Sequence, residues 1–163
     1  MKKKKDELLP RVEEAEERAV RLLAQYEHSS YQLTVKLKKR GYPEDVILKV
    51  IEDLKGKGYL DDKRFAESWI HSRLQRHPEG RELLIAGLIA KGVDRETARS
   101  VVSSAVGEEE IAAACETAGR KLMQKSDMNR EKLTQTLHRR GFSERIIQSF
   151  IDSVVFREEK KEC

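Results

Sequence analysis

The apolar positions of this chain follow a pattern that occurs three times. Each copy centres on a glycine followed by an apolar residue, at Gly41, Gly92 and Gly141, with spacings of 51 and 49 residues. Leucines stand four and eight positions before each glycine: Leu33, Leu37, Leu84, Leu88, Leu133 and Leu137. The three copies agree at so many positions that they indicate an internal repeat.

The spacing within each copy predicts two helices separated by the glycine. Leucines four residues apart share one helix face. The glycine ends that helix, because the position after a helix often needs a positive φ. Pro43 suits the first turn of the next helix in the first copy, and Asp94 and Ser143 are candidate N-caps of its equivalents. Matched apolar residues predict the buried face of this second helix: Val46, Ile47, Val50, Ile51, Ala98, Val101, Val102, Ile146, Ile147, Phe150 and Ile151.

A leading helix precedes this pair in each copy, and its third occurrence is one residue out of step. Its apolar stripes are Ala15, Ala19 and Leu23, then Ala66, Ile70 and Leu74, then Ala114, Ala118 and Leu122. The sequence therefore predicts an all-α protein of three tandem three-helix repeats, at 11–57, 58–107 and 108–156. We expect a basic tail at 1–10 and a C-terminal tail at 157–163. Stacked repeats bury one another's apolar faces, so we expect an elongated array whose curvature the sequence leaves open.

Composition and charge narrow the class of partner. The net charge is +4 and the pI is near 9.0, a mild basic excess that suits a partner carrying phosphates. The four lysines at 2–5 could be an arm that touches nucleic acid or a solvated tail. The chain has no apolar run of membrane-spanning length. Cys115 lies in an apolar helical stripe, so we expect a buried free thiol and a reducing, cytoplasmic setting.

The stretch GYLDDKRFAESWIHSR, at 58–73, joins the first predicted repeat to the second. Asp61 can accept hydrogen bonds from the first amides of the next helix, and Asp62 favours its positive end. The alternatives are a catalytic or metal site and direct contact with a partner. No cysteine or histidine stands near these aspartates at metal-ligand spacing, and the chain has no glycine-rich phosphate loop. We therefore expect no enzyme activity, no metal and no cofactor.

The same stretch carries a family resemblance. GYLDDKRFA at 58–66, followed by Arg73, Gly80, Leu84, Leu88 and KGV at 91–93, resembles the RecX family of RecA regulators, over residues 10–156. The resemblance implies a non-enzymatic protein that lies along the RecA–single-stranded DNA filament and limits its growth or stability in recombination, repair and the SOS response. It also implies weak contact with single-stranded DNA, with duplex DNA left open. We expect a monomer that does not associate with membranes.

Most residues of the matching motif are expected to be scaffold. They are Gly58, Tyr59, Leu60, Asp61, Asp62, Phe65, Ala66, Gly80, Leu88 and Gly92. Arg64, Arg73 and Lys91 are the motif residues that could reach a partner.

Basic residues recur at the end of each middle helix. They are Lys36, Lys38, Lys39, Arg40, Lys91, Arg139 and Arg140. A second group in the middle repeat is Arg73, Arg76 and Arg81. Together they predict either a discontinuous track for phosphates or acidic RecA surface, or compensation of helix dipoles at about 0.3–1 kcal/mol each. The dipole interpretation is favoured for Lys91.

Two further interpretations stay open at this stage. Tyr31, Tyr42, Tyr59 and Trp69 could stack on bases, although packing in the core or between repeats is favoured. Three-helix units could also bind duplex DNA without RecA, as helix-turn-helix proteins do. The helices that follow the repeat glycine in the first two repeats carry few basic and many acidic residues, which disfavours that alternative.

Overall fold

The chain forms α-helices throughout the part that the structure describes. The structure is a computed structural model that describes residues 2–126 and 128–159. Across this part there are nine helices and no strand: α1 Lys2–Leu23, α2 Ser30–Lys39, α3 Glu44–Gly56, α4 Asp62–Arg76, α5 Arg81–Ala90, α6 Arg95–Ala105, α7 Glu108–Met123, α8 Arg130–Arg139 and α9 Glu144–Glu159. The prediction of an all-α protein built from three-helix repeats is confirmed.

α-Helix extends into both of the segments that the sequence predicts as tails. α1 begins at Lys2, so residues 2–10 extend the first helix. Lysine, glutamate and leucine favour helix, which explains how the segment continues the helix that follows. α9 runs to Glu159 and so includes 157–159, while residues 160–163 lie outside the described part.

The chain divides into two compact units. One comprises Met1–Ser68 with Leu88–Ala98, and the other comprises Trp69–Gly87 with Arg99–Cys163. α4, α5 and α6 each continue from one unit into the other along the chain. Each unit therefore contains one outer repeat and part of the middle one.

The core of the first unit comes from the predicted apolar stripes. α1 packs against α3, and Ala15 and Ala19 of α1 are fully buried. The core cluster consists of Val12, Ala15, Ala19, Leu33, Leu37, Val46, Ile47, Val50, Leu54 and Leu60. Small residues on α1 bring its backbone close to α3, where the larger aliphatic side chains fill the space.

The core of the second unit includes the third set of helices, α7 to α9. α7 packs against both α8 and α9. Cys115 is fully buried on α7, which confirms the predicted buried thiol, and its burial raises the pKa of the thiol to about 11. The buried hydrophobic residues of these helices, together with Phe142 in the turn between α8 and α9, are Ile111, Cys115, Ala118, Leu122, Leu133, Leu137, Ile146, Ile147, Phe150 and Ile151.

The repeat glycines end the middle helices as the sequence predicts. Gly41, Gly92 and Gly141 have φ values of 85°, 84° and 81°. After each glycine, the amide of the next residue donates to the carbonyl of the leucine four positions before that glycine, over 3.1–3.4 Å. The positive φ turns the chain back over the helix end, so this amide satisfies a carbonyl that would otherwise lack a partner.

Candidate functional site

The segment that joins α3 to α4 is a structural joint. Gly58 has a φ of 72°, and Leu60 is buried in the core of the first unit. The carboxylate of Asp61 accepts from the amides of Lys63 and Arg64, at 2.8 and 3.2 Å. Asp61 is therefore the N-cap of α4, as predicted. Further along α4, Phe65 and Ala66 are buried.

Asp62 binds the start of another helix as well as beginning its own. Its carboxylate accepts from the backbone amide and the hydroxyl of Ser30, both at 2.7 Å. The Nζ of Lys55 lies 3.1 Å from the same carboxylate. Ser30 is the first residue of α2, so its amide has no acceptor within that helix. Asp62 thus couples the N-termini of α2 and α4, a role that its position in the sequence does not reveal.

Arg64 is held by its own surroundings. Its guanidinium donates to Glu27 at 2.8 Å and to the carbonyls of Gly58 and Tyr59 at 3.1 and 3.0 Å. These bonds fasten the turn before α4 to the segment that follows α1. Although sequence reasoning named Arg64 as a candidate contact residue, here the side chain stabilises the joint.

Arg73 is also engaged within the protein. It donates two hydrogen bonds to the buried carboxylate of Glu79, at 2.9 and 2.6 Å. The guanidinium carbon lies 5.9 Å from the centre of the Trp69 ring, within cation–π range. The hydrogen bond to Glu79 raises the pKa of Arg73. Two hydrogen bonds between one guanidinium and one carboxylate fix the segment between α4 and α5 in one conformation.

Gly80 stands where two backbones meet. Its amide donates to the carbonyl of Arg140 at 2.8 Å, and a Cβ at this position would lie 1.9 Å from the carbonyl oxygen of Gly141. The adjacent Arg81 donates to the carbonyl of Val106, at the end of α6, over 2.7 Å. Gly80 and Arg81 thus both have structural contacts, and Arg81 uses one of its terminal nitrogens in its contact.

A similar hydrogen bond joins consecutive repeats within each unit. In the first unit the hydroxyl of Ser29 donates to the carbonyl of Lys91 at 2.6 Å. In the second unit Gly80 donates to the carbonyl of Arg140. Ser29 and Gly80 each stand 12 residues before their own repeat glycine, and each acceptor directly precedes the glycine of the next repeat. The turn that carries the basic residue is therefore also the contact point for the preceding repeat.

Gly92 is part of the same junction in the first unit. A Cβ on Gly92 would lie 2.1 Å from the Cβ of Tyr31. Because Tyr31 occupies this space, only glycine allows the turn to approach α2. The predicted contact residue Lys91 is half-buried here, and its carbonyl serves the junction. Leu88 is fully buried.

The end of α2 presents a dense group of cations, which we call the α2 cluster: Lys36, Lys38, Lys39 and Arg40. All four side chains are exposed. None of them forms a salt bridge with another described residue. They differ in this from Arg64 and Arg73, whose guanidinium groups are held by acidic side chains within the protein. The α2 cluster is therefore the largest group of candidate residues that can meet a partner without breaking internal contacts.

A cavity of about 410 Å³ lies beside the α2 cluster in the first unit. Its lining residues are Arg11, Glu14, Glu17, Arg18, Arg21, Arg40, Gly41 and Tyr42. Glu17 pairs with Arg21 at 2.5 Å, and Glu14 accepts from the Tyr42 hydroxyl at 3.1 Å. Burial and this hydrogen bond raise the pKa of Tyr42. The cavity mixes both signs of charge and presents Arg40 at its edge.

The remaining basic candidates belong to the second unit. Arg76 ends α4 and Arg139 ends α8, and both are exposed. Arg140 is half-buried and lies with Arg76 at a cavity that also contains His77 and Lys121. Sequence reasoning missed His77 and Lys121, because neither lies in the repeat pattern and only folding brings them to Arg140.

The packing predicted for the aromatic residues is wrong at Tyr59. This tyrosine is 58% exposed, although its backbone serves the joint through the carbonyl that binds Arg64. Leu60 takes the inward position instead, because adjacent residues after the turn point to opposite sides. Tyr31 is 55% exposed even though its Cβ faces Gly92, while Tyr42 and Trp69 are half-buried.

Comparison with known proteins places the chain in a family. The family model described as RecX, first three-helix domain, matches residues 15–54, and that of the second three-helix domain matches residues 61–102. The "Regulatory protein RecX" of Treponema pallidum (strain Nichols) is 35% identical over 135 residues, which cover 83% of this chain and 82% of the relative. The chain belongs to the RecX family. The RecX protein of Pelodictyon phaeoclathratiforme is 37% identical over 142 residues, which cover 84% and 86% of the two chains.

Solved structures agree with this assignment at the level of the fold. The crystal structure of RecX from Lactobacillus salivarius superimposes with a TM-score of 0.80 at 22% identity, covering 91% of this chain and 99% of that one. As a member of the RecX family, the protein is a regulatory protein. No helix in the described part of the chain is long and apolar enough to cross a membrane.

Proposed function

We propose that this protein binds the filament that RecA forms on single-stranded DNA and limits the activity of that filament in recombination and repair. The observation that carries the proposal is membership of the RecX family, whose named members are regulatory proteins. The α2 cluster supports it, because its exposed cations suit a surface of phosphates and acidic side chains.

The proposed mechanism is binding at several points. A filament repeats the same subunit along its length, and this protein repeats the same three-helix module. Weak contacts made by separate modules then add up when they engage together. A protein bound across neighbouring RecA subunits would restrain their relative movement, on which ATP hydrolysis and strand exchange depend.

The charge distribution favours contact through side chains rather than insertion of a recognition helix. α3 and α6 stand where a helix-turn-helix protein would place that helix. The first turn of α3 carries Glu44 and Asp45, which would face phosphates unfavourably, and in the first turn of α6 the charge of Arg95 is offset by Glu96. Duplex DNA binding without RecA is therefore the second candidate, and the experiment below separates the two.

The direct test is RecA-dependent ATP hydrolysis on single-stranded DNA, with this protein titrated into preformed filaments. We expect hydrolysis to fall as the protein is added and the effect to saturate. Duplex DNA added in excess serves as the control for simple DNA binding and should not relieve the inhibition. Hydrolysis that stays constant over the whole titration would contradict the proposal.

A further inference from the structure

The second unit contains a cavity of about 310 Å³ whose charged lining is almost entirely basic. It lies where the segment after α4 meets the end of α8 and one residue of α7. Six residues line it: Arg76, His77, Pro78, Glu79, Lys121 and Arg140.

The walls of this cavity are fixed by internal contacts. The amide of His77 donates to the carbonyl of Arg73 at 2.8 Å, and the amide of Gly80 donates to the carbonyl of Arg140 at 2.8 Å. Between these two points the buried carboxylate of Glu79 is held by the fork of Arg73. Residues 77–80 are thus fastened at both ends and in the middle, so the cavity exists before any ligand arrives.

The charge inside the cavity is not balanced by the protein. Glu79 is the only acid in the lining, and its two oxygens already accept from Arg73. Within the described residues, the side chains of Arg76, His77, Lys121 and Arg140 have no hydrogen-bond or salt-bridge partner. Three permanent cations therefore converge on one space, and an anion bound there would relieve their mutual repulsion.

We propose that this cavity binds a phosphate group. Arginine presents a planar fork of donors that matches two phosphate oxygens, and lysine adds a compact positive charge. Arg76 and Arg140 approach from different segments of the chain, and Lys121 supplies the third cation from α7. The cavity in the first unit does not share this property, because Glu14 and Glu17 stand among its arginines.

The source of the phosphate is the backbone of single-stranded DNA. This assignment rests on the proposed function, which brings the protein to DNA inside a RecA filament. Free inorganic phosphate offers the same chemistry, so the two sources are tested separately.

The first arm measures DNA binding in the absence of RecA. Anisotropy of a fluorescein-labelled oligodeoxythymidylate is recorded at several salt concentrations for the full chain and for the variant R76Q/K121Q/R140Q. We expect the variant to bind about tenfold more weakly. Its slope of log affinity against log salt should be shallower by about 0.7 for each phosphate that the variant no longer neutralises. The matched control is K49Q/R95Q/R99Q, which removes the same charge from exposed positions outside the cavity.

The second arm titrates inorganic phosphate into the isotope-labelled protein and follows backbone amide signals by NMR. We expect the signals of His77 and Gly80 to shift in the wild type and in the control variant, but not in R76Q/K121Q/R140Q. The single variant R140K, which keeps the charge, should retain most of the shift. The amide spectrum of R76Q/K121Q/R140Q itself shows whether that variant is folded, because its signals outside the cavity should match those of the wild type.

The outcomes are distinguishable from one another and from failure of the proposed function. Phosphate shifts that depend on the cavity, with oligonucleotide binding equal to that of the control, would overturn the DNA source and leave a free-phosphate site. Absence of both effects would overturn the proposal entirely. If R76Q/K121Q/R140Q binds the oligonucleotide like the control and still inhibits RecA, the regulatory function stands and the assignment of the cavity to the DNA backbone falls.

Discussion

Gly80 makes room for another stretch of backbone by lacking a side chain. The carbonyl oxygen of Gly141 occupies the position that its Cβ would take, at 1.9 Å. Because the obstacle is backbone, it cannot move aside as a side chain would. A motif residue expected to be scaffold therefore acts by allowing two segments of the second unit to touch.

The variant G80A should destabilise the second unit by about 2 kcal/mol, since overpacking of a close contact typically costs 1–3 kcal/mol. Thermal unfolding followed by circular dichroism should show a midpoint about 4–8 °C lower. The control is G56A, because Gly56 is the last residue of α3 and has open space around its Cβ. That variant should be neutral or up to about 1 kcal/mol more stable. Equal midpoints for the two variants would show that the junction tolerates a Cβ.

Cys115 shows how burial controls reactivity. Its pKa is raised to about 11, so the thiol stays protonated at pH 8 in the folded protein. Thiolates are the reactive form, and we expect Cys115 to resist iodoacetamide until the protein unfolds. The measurement is mass spectrometry of the C163S variant, alkylated with and without denaturant. Rapid labelling of the native protein would contradict the assigned burial.

The same shift has a consequence for stability. The folded protein holds the Cys115 proton more tightly than the unfolded chain, whose thiol has its ordinary pKa of 9.0. The contribution of Cys115 to the free energy of unfolding is therefore complete below pH 9 and is lost as the pH rises towards 11. The variant C115A should lack this part of the pH dependence.

At the scale of helices, the positions where elements begin and end could be predicted from the sequence. Gly41, Gly92 and Gly141 end helices with positive φ, and Asp61 and Asp94 accept from the first amides of α4 and α6. These features depend on contacts within a few residues, so local chemistry is sufficient to specify them. The leucine spacing identified the buried faces for the same reason.

The partners of the polar side chains could not be predicted in this way. Asp62 binds Ser30 and Arg64 binds Glu27 because the fold brings together segments that are more than 30 residues apart, and Arg73 binds Glu79 because of the path of the segment after α4. A residue such as Arg64, named as a contact candidate for its charge and its place in the motif, proved to be occupied. The repeat pattern gives the order of the helices but not which side chains meet at their ends.

The coupling of α2 to α4 through Asp62 can be measured. The variant D62A should lower the free energy of unfolding by about 2 kcal/mol, because it removes both hydrogen bonds from Ser30 and the contact with Lys55. E67A, an exposed acid on the same helix, is the matched control and should change stability by less than about 0.5 kcal/mol.

The specific partner can be identified with a second substitution. S30A should lower the free energy of unfolding by about 1 kcal/mol in the wild type. In the D62A background it should change the free energy of unfolding very little, because the Ser30 hydroxyl has already lost its acceptor. Costs that simply add in the double variant would rule out the coupling between the two helices.

At the scale of the whole molecule, free and occupied cations have different functions. The arginines that are used internally hold the joints, while the α2 cluster and the cavity of the second unit retain unused donors. A net charge of +4 spread over 33 basic and 29 acidic side chains is a weak guide to function by itself. It is more informative to ask which cations have no acidic partner within the protein. Only those cations gain a favourable interaction when they bind a phosphate or an acidic surface.

The α2 cluster is tested by the variant K38E/K39E/R40E. We expect binding to RecA filaments to weaken by at least tenfold and to lose most of its salt dependence, since each reversal replaces an attraction with a repulsion. Filament binding is measured by anisotropy at several salt concentrations. The control K49E/R95E/R99E changes the net charge equally at exposed positions outside the cluster. An equal loss of filament affinity in both variants would show that net charge, and not the α2 cluster, determines binding.

We propose that the assembled filament is the target, and co-sedimentation can show whether the protein prefers it to its components. The protein is mixed with RecA on single-stranded DNA, with RecA alone and with single-stranded DNA alone, each at the same concentration and salt. We predict that it pellets with the filament in saturable amounts and remains largely in the supernatant with either component alone. Equal recovery with DNA alone, or no recovery with the filament, would show that the assembled filament is not the target.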